Sequence, residues 1–436
     1  MSHGAFAVAK DESGKTIFIE NACPDDELEY EIYDDRKTFA YASIVNLIQA
    51  SSQRAKEPKC KIHKICGSCQ WQHIDYQEQL KFKKQNLIDL MREAQLEFDF
   101  EIPDLIGMDD AWNFRNKVVY PVDTVEKSGR LLAGYFKRNS NELINIKYCP
   151  IQYSIFDEIF EKLKEICSQE GVTKEFLRHI LLRSNHNKKQ ILVSLIVRKK
   201  NLPEKKYHKL KKVLKEISEK YKVIKTTTIN YNDNSTNVIL GNETEIVTGK
   251  GFILENFAGV DLEISTESFF QVNTEQFAKI IDTLDGKIKE GSKILDAYCG
   301  IGTISLSLAK RKQLQIKGIE IVEAAVENAQ RNAERNGLEA QYICSKMEDK
   351  VEELAQEDFD LIITNPPRKG CTNKVLENLA KIQAKEILYV SCNPSTLARD
   401  LKYMEKYGYK TSYLQSFDMF PHSFHFETVA VLTAEK

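Results

Sequence analysis

The stretch from residue 293 to residue 302 reads KILDAYCGIG, and it decides the fold of the second half of the chain. Its apolar opening is typical of a short buried strand. Gly300 and Gly302 follow directly, and glycine permits both a tight turn and a close approach of backbone to a ligand. We therefore predict a strand, a ligand-binding turn and a helix, in that order.

The sequence after residue 292 alternates between short apolar strands and helical stretches. The predicted strands cover residues 293–298, 315–321, 359–364 and 385–391. The clearest helix covers residues 322–336, and Gly337 is its predicted C-terminal stop. The pattern predicts an α/β fold with a parallel, doubly wound sheet, in which ligands bind at the carboxyl ends of the strands.

The first half of the chain has a different pattern. Residues 1–55 contain short segments with apolar residues at every second position, such as Leu28, Tyr30 and Ile32, and a small β-barrel is the natural closure for such a set. Residues 56–265 mix helical and strand patterns. We therefore predict three domains: a barrel in residues 1–55, a mixed α+β domain in 56–265 and a ligand-binding α/β domain in 266–436.

Composition narrows the class of protein. The chain has 436 residues, of which 42% are hydrophobic and 29% charged, and no apolar run long enough to cross a bilayer. We expect it in the cytoplasm. The net charge of −2 does not by itself indicate a nucleic-acid partner. Local basic patches are candidates for such a partner, although an ordinary solvated face explains each as well: Lys81, Lys83 and Lys84; residues 198–200; Lys205 and Lys206.

The glycine turn predicts a nucleotide-like cofactor. Glu320 ends the next predicted strand, where a carboxylate can accept hydrogen bonds from both ribose hydroxyls. Ser305 replaces the third glycine of the dinucleotide fingerprint, so NAD is weakly supported. A structural turn in an unrelated α/β domain is the alternative interpretation.

Cys392 lies just past the predicted strand at 385–391, where a doubly wound sheet exposes its active site. A thiolate there is close to the start of a helix and can act as a nucleophile, although a buried structural cysteine is an equal alternative. Methylation of uracil at carbon 5 would use such a thiolate, because its addition to carbon 6 makes carbon 5 carbanion-like. A base must then remove the carbon 5 proton. Glu427, at the head of the last strand, is the candidate.

The sequence Asn365-Pro366-Pro367 follows the predicted strand at 359–364. It is similar to a motif of amine methyltransferases, which usually continues with an aromatic residue. Here Arg368 follows, which argues against transfer to an exocyclic amine.

Together, five motifs resemble the TrmA/RumA family of RNA 5-methyluridine methyltransferases over nearly the whole chain. The motifs cover residues 268–273, 296–302, 366–370, 391–400 and 425–427. The resemblance implies a class I Rossmann-like methyltransferase domain, an N-terminal OB-like TRAM barrel for RNA binding, and S-adenosyl-L-methionine as donor. It assigns donor contacts to Gln271, Tyr298, Thr303, Glu320 and Asn365. The family usually has aspartate at position 365, and asparagine there removes a charge.

The cysteines Cys60, Cys66, Cys69 and Cys149 form a three-plus-one set. Four thiolates suit a four-iron cluster, whereas His63 with three cysteines would suit zinc. The resemblance, closest to the iron-sulfur 23S ribosomal RNA enzymes of the family, favours a [4Fe-4S] cluster.

The expected activity is therefore methylation of uridine at carbon 5 in RNA, in particular 23S ribosomal RNA. Phe269 or Phe270 is predicted to stack on an unpaired base. Transfer RNA, an exocyclic amine as acceptor, and an inactive RNA-binding assembly factor remain as alternatives.

Overall fold

Four strands open the chain, and a long helix follows them. The structure is a computed structural model, and it describes residues 1–2, 4–234 and 236–435. The first elements are β1 Phe6–Lys10, β2 Thr16–Glu20, β3 Glu27–Asp35, β4 Phe39–Gln49 and α1 Tyr76–Glu93. The side chain of Asp75 caps α1 by accepting a hydrogen bond from the amide of Gln77.

The four N-terminal strands form an open sheet in the order β1-β2-β4-β3. Ile17, Ile19, Ala40 and Ala42 are buried at its centre. The predicted closed barrel is not confirmed, because within the described residues β1 and β3 are the two edges and do not pair with each other. In β3, Leu28 packs against this core, whereas Tyr30 and Ile32 stay exposed and do not pack against an opposite strand.

The central part of the chain mixes helices and strands, as predicted. It contains β5 Lys117–Thr124, β6 Leu131–Phe136, β7 Leu143–Asn145, α2 Ser154–Gln169, β8 Leu177–Ser184, β9 Ile191–Val197, a 3₁₀ turn Lys199–Asn201, α3 Glu204–Lys220, β10 Ile224–Tyr231, β11 Glu243–Thr248, β12 Phe252–Phe257, β13 Val260–Ser265 and α4 Thr274–Asp285. Seven strands form a sheet in the order β11-β10-β9-β8-β5-β6-β7, while β12 and β13 form a hairpin. Helices α2 and α3 pack against this sheet.

The last part of the chain alternates strands and helices. Its elements are β14 Lys293–Asp296, α5 Thr303–Ala309, β15 Gln315–Glu320, α6 Glu323–Asn336, β16 Ala340–Cys344, a 3₁₀ turn Met347–Asp349, α7 Val351–Leu354, β17 Leu361–Thr364, α8 Asn373–Lys381, β18 Glu386–Ser391, α9 Pro394–Glu405, β19 Tyr409–Phe417 and β20 Glu427–Ala434. The predicted helix at 322–336 is confirmed as α6, and it ends at Gly337 in the left-handed conformation (φ 63°).

Contacts divide the chain into two compact units. The first unit comprises Met1–Ala111, Ser292–Tyr298 and Lys346–Lys436, and the second comprises Trp112–Gly291 and Cys299–Ser345. The division into domains 1–55, 56–265 and 266–436 stays a prediction.

The predicted α/β pattern is confirmed inside each unit. In the first, β14, β17 and β18 are parallel neighbours, and in the second β15 and β16 are parallel. The end of the chain differs from the prediction of a parallel sheet, since β20 pairs antiparallel with both β18 and β19. The loop between β19 and β20 is too short for a parallel crossover, so the two strands form a hairpin.

One predicted basic patch is wrong in part. The side chain of Lys81 is 70% exposed, but that of Lys83 is 0% exposed and forms an ion pair with the equally buried Asp418. In the described part of the chain, no helix is both long enough and apolar enough to span a bilayer.

Candidate active site

Cys392, the predicted nucleophile, lies between β18 and α9 and is half-buried. The side chain of Asn393 caps α9 by accepting a hydrogen bond from the amide of Ser395, and Pro394 occupies the first turn, where no backbone N–H is needed. The sulfur therefore lies one residue before a capped helix N-terminus. Such a position favours a negative charge.

Two opposite charges act on the Cys392 thiol. Burial raises its pKa, and the carboxylate of Glu427 raises it further. The guanidinium of Arg368 lowers the pKa of the same thiol through its positive charge and through a hydrogen bond to the sulfur. The side chains of Cys392, Glu427 and Arg368 are thus close enough to interact.

Arg368 was singled out in the sequence only because it is not aromatic. In the structure its backbone carbonyl accepts hydrogen bonds from the Asn393 Nδ2 (2.9 Å) and the Thr396 Oγ1 (3.3 Å). These contacts fix the loop after β17 to the start of α9, the helix that follows Cys392. Arg368 is the functional candidate that sequence reasoning missed, because only the fold brings it close to Cys392.

Glu427 is the first residue of β20 and is 2% exposed. Its cross-strand partner is Phe417, the last residue of β19. A carboxylate with so little exposure is unusual at the end of a strand, since Glu side chains are mostly exposed. The structure therefore brings Glu427 and Cys392 together within the first unit.

Tyr298 and Asn365, two of the predicted donor contacts, also belong to the first unit. Tyr298 interacts with Cys371, and burial raises the pKa of its hydroxyl. Cys371 is in turn hydrogen-bonded to Tyr389, whose hydroxyl donates to the buried Asp400 at 2.7 Å. Asn365 directly follows β17 and is half-buried. Both residues lie just beyond the carboxyl end of a strand, where the fold predicts a ligand.

Thr303, Glu320 and the glycine turn belong to the second unit. Gly300 and Gly302 have positive φ angles of 54° and 79°, and Thr303 is the first residue of α5. Glu320 Oε2 accepts a hydrogen bond from the Gly300 amide at 3.2 Å. A Cβ at Gly300 would meet nothing within 4 Å, so there is open space beside the carboxylate. These residues fit a ribose.

Two apolar side chains next to Glu320 are exposed. Ile321 is 58% and Val322 54% exposed, and both of their amides donate to Glu320 Oε1. Aliphatic groups rarely gain from such exposure, and a flat heterocycle packed on them would remove their surface from water. They could therefore pack against the base of a nucleoside.

Gln271 and the two neighbouring phenylalanines follow β13 in the second unit. Gln271 is buried, and its carbonyl accepts a hydrogen bond from the Asn116 Nδ2 at 2.9 Å. The two phenylalanines that were predicted as stacking candidates differ: Phe270 packs against Phe257 and Phe277, whereas Phe269 is 62% exposed. Only Phe269 is therefore available to stack on a base.

The structure does not support the predicted [4Fe-4S] cluster. The predicted ligands are Cys60, Cys66, Cys69 and Cys149. Across residues 1–2, 4–234 and 236–435, no three Cys, His, Asp or Glu side chains converge to hold a metal ion. The zinc alternative fails the same test, since His63 is among these side chains.

Comparison with known proteins shows to which family the chain belongs. Residues 75–435 match the family described as tRNA (Uracil-5-)-methyltransferase. This chain belongs to that family. The methyltransferase is 35% identical to an RNA methyltransferase of Bacillus cereus, over 99% of this chain and 95% of the relative. It is also 35% identical to one of Clostridium tetani, over 96% of this chain and 91% of the relative.

A solved structure is similar to the methyltransferase over its whole length. The tRNA (uracil-54, C5)-methyltransferase of Pyrococcus abyssi, in complex with S-adenosyl-L-homocysteine, has 28% sequence identity and a TM-score of 0.76, and 99% of each chain is covered. The family resemblance drawn from the motifs is thus confirmed, and the methyltransferase is an RNA uracil-C5 methyltransferase. Its class makes it an enzyme, so the interpretation as an inactive assembly factor is not supported.

Proposed function

We propose that the methyltransferase transfers a methyl group from S-adenosyl-L-methionine to carbon 5 of a uridine in RNA through a covalent adduct of Cys392 with carbon 6. The observation that carries the proposal is the placement of one half-buried thiol beside both a guanidinium and a buried carboxylate. An amine methyltransferase needs neither a thiolate nor a base of this kind.

The chain's own residues account for each step of the proposed reaction. The Cys392 thiolate, favoured by Arg368 and the α9 N-terminus, adds to carbon 6, and the ring electrons move to carbon 5. Carbon 5 takes up the methyl group that S-adenosyl-L-methionine supplies, the bond between that methyl group and the donor sulfur breaks, and S-adenosyl-L-homocysteine is the leaving group. Glu427 then removes the carbon 5 proton, the double bond between carbons 5 and 6 re-forms, and the thiolate leaves.

We propose donor contacts for the residues that the family resemblance indicates. We assign the ribose to Glu320, the turn before Thr303 to the amino-acid part, and the base to Ile321 and Val322. Gln271, Tyr298 and Asn365 complete the proposed set. Asn365 retains an acceptor oxygen where the family usually has a carboxylate, so it can still accept a hydrogen bond.

The proposed role of Glu320 predicts a loss of donor binding. Glu320→Ala is expected to weaken binding of S-adenosyl-L-methionine about tenfold or more, because hydrogen bonds to a charged group contribute about 1.5–3 kcal/mol. Isothermal titration with the donor measures this loss. Glu327→Ala, which removes an exposed carboxylate of α6, is the matched control and should bind as the wild type does. Equal affinities for both variants would contradict the assignment.

The two charges beside Cys392 predict opposite shifts in its titration. The rate of alkylation by iodoacetamide as a function of pH measures the pKa of the thiol, since only the thiolate reacts. Arg368→Gln is expected to raise that pKa, because a positive charge is lost, and Glu427→Gln is expected to lower it. Shifts in the same direction would contradict the arrangement.

We propose 23S ribosomal RNA as the substrate, because the four cysteines at positions 60, 66, 69 and 149 resemble a set in the ribosomal RNA enzymes of the family. Transfer RNA is the second candidate, and the similarity to the transfer RNA enzyme of Pyrococcus abyssi favours it. Incubation with labelled donor and purified 23S ribosomal RNA or transfer RNA, followed by mass-spectrometric mapping of 5-methyluridine, separates them. Label in transfer RNA alone would refute the ribosomal assignment, and label in neither would refute the activity.

A further inference from the structure

The loop between β19 and β20 ends at Glu427, the proposed base. It covers residues 418–426, and Asp418 directly follows Phe417, the cross-strand partner of Glu427. Helix α1 packs polar side chains against this loop. Gln79 and Lys83 lie one turn apart on α1, so they project from the same face, and both are 0% exposed.

Hydrogen bonds from α1 and the segment before it fix this loop at three residues. Lys83 Nζ donates to Asp418 Oδ1 at 2.6 Å and to the carbonyl of Phe420 at 3.3 Å. Gln79 Oε1 accepts from the amide of His422 at 3.0 Å. The amide of Trp71 donates to the carbonyl of His422 at 2.9 Å. The loop is therefore hydrogen-bonded to residues 71–83 at several points along its length.

The conformation of His422 indicates that these contacts impose the shape of the loop. Its φ angle is 65°, a left-handed conformation that residues other than glycine seldom adopt, and it is 3% exposed. Its Nε2 also contacts the carbonyl of Ala111 at 3.1 Å. A strained residue persists only where its surroundings determine it, and such residues concentrate at functional sites.

The buried ion pair of Lys83 and Asp418 is expected to contribute little to the free energy of unfolding. Both side chains are 0% exposed, and removing two charges from water costs about as much as their attraction returns. The best-attested use of such a pair is to specify one arrangement over its alternatives. Here the ion pair fixes the position of Asp418, which directly follows Phe417, the cross-strand partner of Glu427.

We propose that Gln79, Lys83 and Asp418 are positioning residues that hold Glu427 in place for removal of the carbon 5 proton. The proposal rests on the proposed function of Glu427 as the base. Glu427 acts only after methyl transfer, when its carboxylate takes the carbon 5 proton, the C–H electron pair re-forms the double bond, and the carbon 6 to sulfur bond breaks. A misplaced Glu427 therefore delays release but not formation of the adduct.

The test uses the full-length methyltransferase with Lys83→Met. With ordinary substrate RNA and S-adenosyl-L-methionine, the methylated covalent adduct is expected to accumulate and turnover to fall about 10²-fold, the cost of a displacement of about 1 Å. With RNA that contains 5-fluorouridine, whose adduct cannot be resolved, the rate of adduct formation is expected to be no lower than that of the wild type, because a displaced Glu427 does not disfavour the thiolate more than the native one does. Lys410→Met removes an exposed lysine of an ion pair and is the matched control.

Two further variants decide the test if an unpaired Asp418 prevents folding. Lys83→Met combined with Asp418→Leu removes both charges, and Gln79→Met leaves the ion pair intact while it breaks the contact with His422. A folded variant of either kind that releases product at the wild-type rate overturns the proposal. Equal slowing of adduct formation and release also overturns it, since that is the result of a general structural defect. If Glu427→Gln, tested in parallel, accumulates no adduct, the proposed function fails instead.

Discussion

Cys392→Ala is expected to abolish methyl transfer to RNA, with a loss on the order of 10⁶-fold, as for the removal of other covalent nucleophiles. Without the thiolate, carbon 5 of uracil is too weak a nucleophile to take up a methyl group. The measurement is transfer of labelled methyl from S-adenosyl-L-methionine to RNA. On RNA with 5-fluorouridine at the target, the wild type should form a stable covalent adduct, visible as a shifted band in a denaturing gel, and the variant should form none.

A second cysteine provides the control for this result. Cys167 is fully buried in α2, outside the proposed site, and Cys167→Ala makes the same chemical change. This control should form the adduct as the wild type does. An adduct in Cys392→Ala would assign the nucleophile to another residue. Methyl transfer by Cys392→Ala to an exocyclic amine would instead support the function that Asn365-Pro366-Pro367 left open.

Glu427→Gln is expected to trap the enzyme on ordinary RNA. The glutamine side chain cannot remove the carbon 5 proton, so the adduct forms and accepts the methyl group but is not released. Turnover should fall about 10²–10⁴-fold, the usual contribution of a general base. Mass spectrometry of the trapped complex should find a methylated uridine attached to Cys392.

The outcome for Glu427→Gln separates two roles of the carboxylate. If the variant binds RNA and donor but forms no adduct, Glu427 acts before the methyl transfer, and the assignment as the base is wrong. Full turnover would mean that another group removes the proton. Glu386→Gln, a substitution at the half-buried first residue of β18, is the control and should turn over normally.

The two charges beside Cys392 serve different steps in this mechanism. Arg368 favours the thiolate that attacks, whereas Glu427 disfavours it and is needed only when the thiolate leaves. A charge that lowers the pKa of Cys392 favours both the attack on carbon 6 and the departure of the sulfur as a thiolate. Arg368 therefore assists both steps of the sulfur, whereas Glu427 assists only the removal of the carbon 5 proton.

Several parts of the site could be predicted from the sequence because they depend on local preferences. The turn at Gly300 and Gly302, the end of α6 at Gly337 and the position of Cys392 between a strand and a helix are examples. Glycine is favoured where φ is positive. The spacing of apolar residues that distinguishes a strand from a helix can be read from a short stretch of sequence. The motifs around these residues also indicated the family correctly.

Other parts were decided only by the tertiary structure, because they depend on partners far away in the sequence. Lys83 lies between two residues that suggest a surface patch, but Asp418, 335 positions later, pairs with it in the interior. Phe269 and Phe270 are identical in type, and only packing against Phe257 and Phe277 separates them. The barrel and the metal site were predicted from spacing, which fixes neither the closure of a sheet nor the convergence of thiols. Local backbone conformation depends on residues that are adjacent in the sequence. The burial of a side chain and its ion pairs depend on residues that only folding brings close.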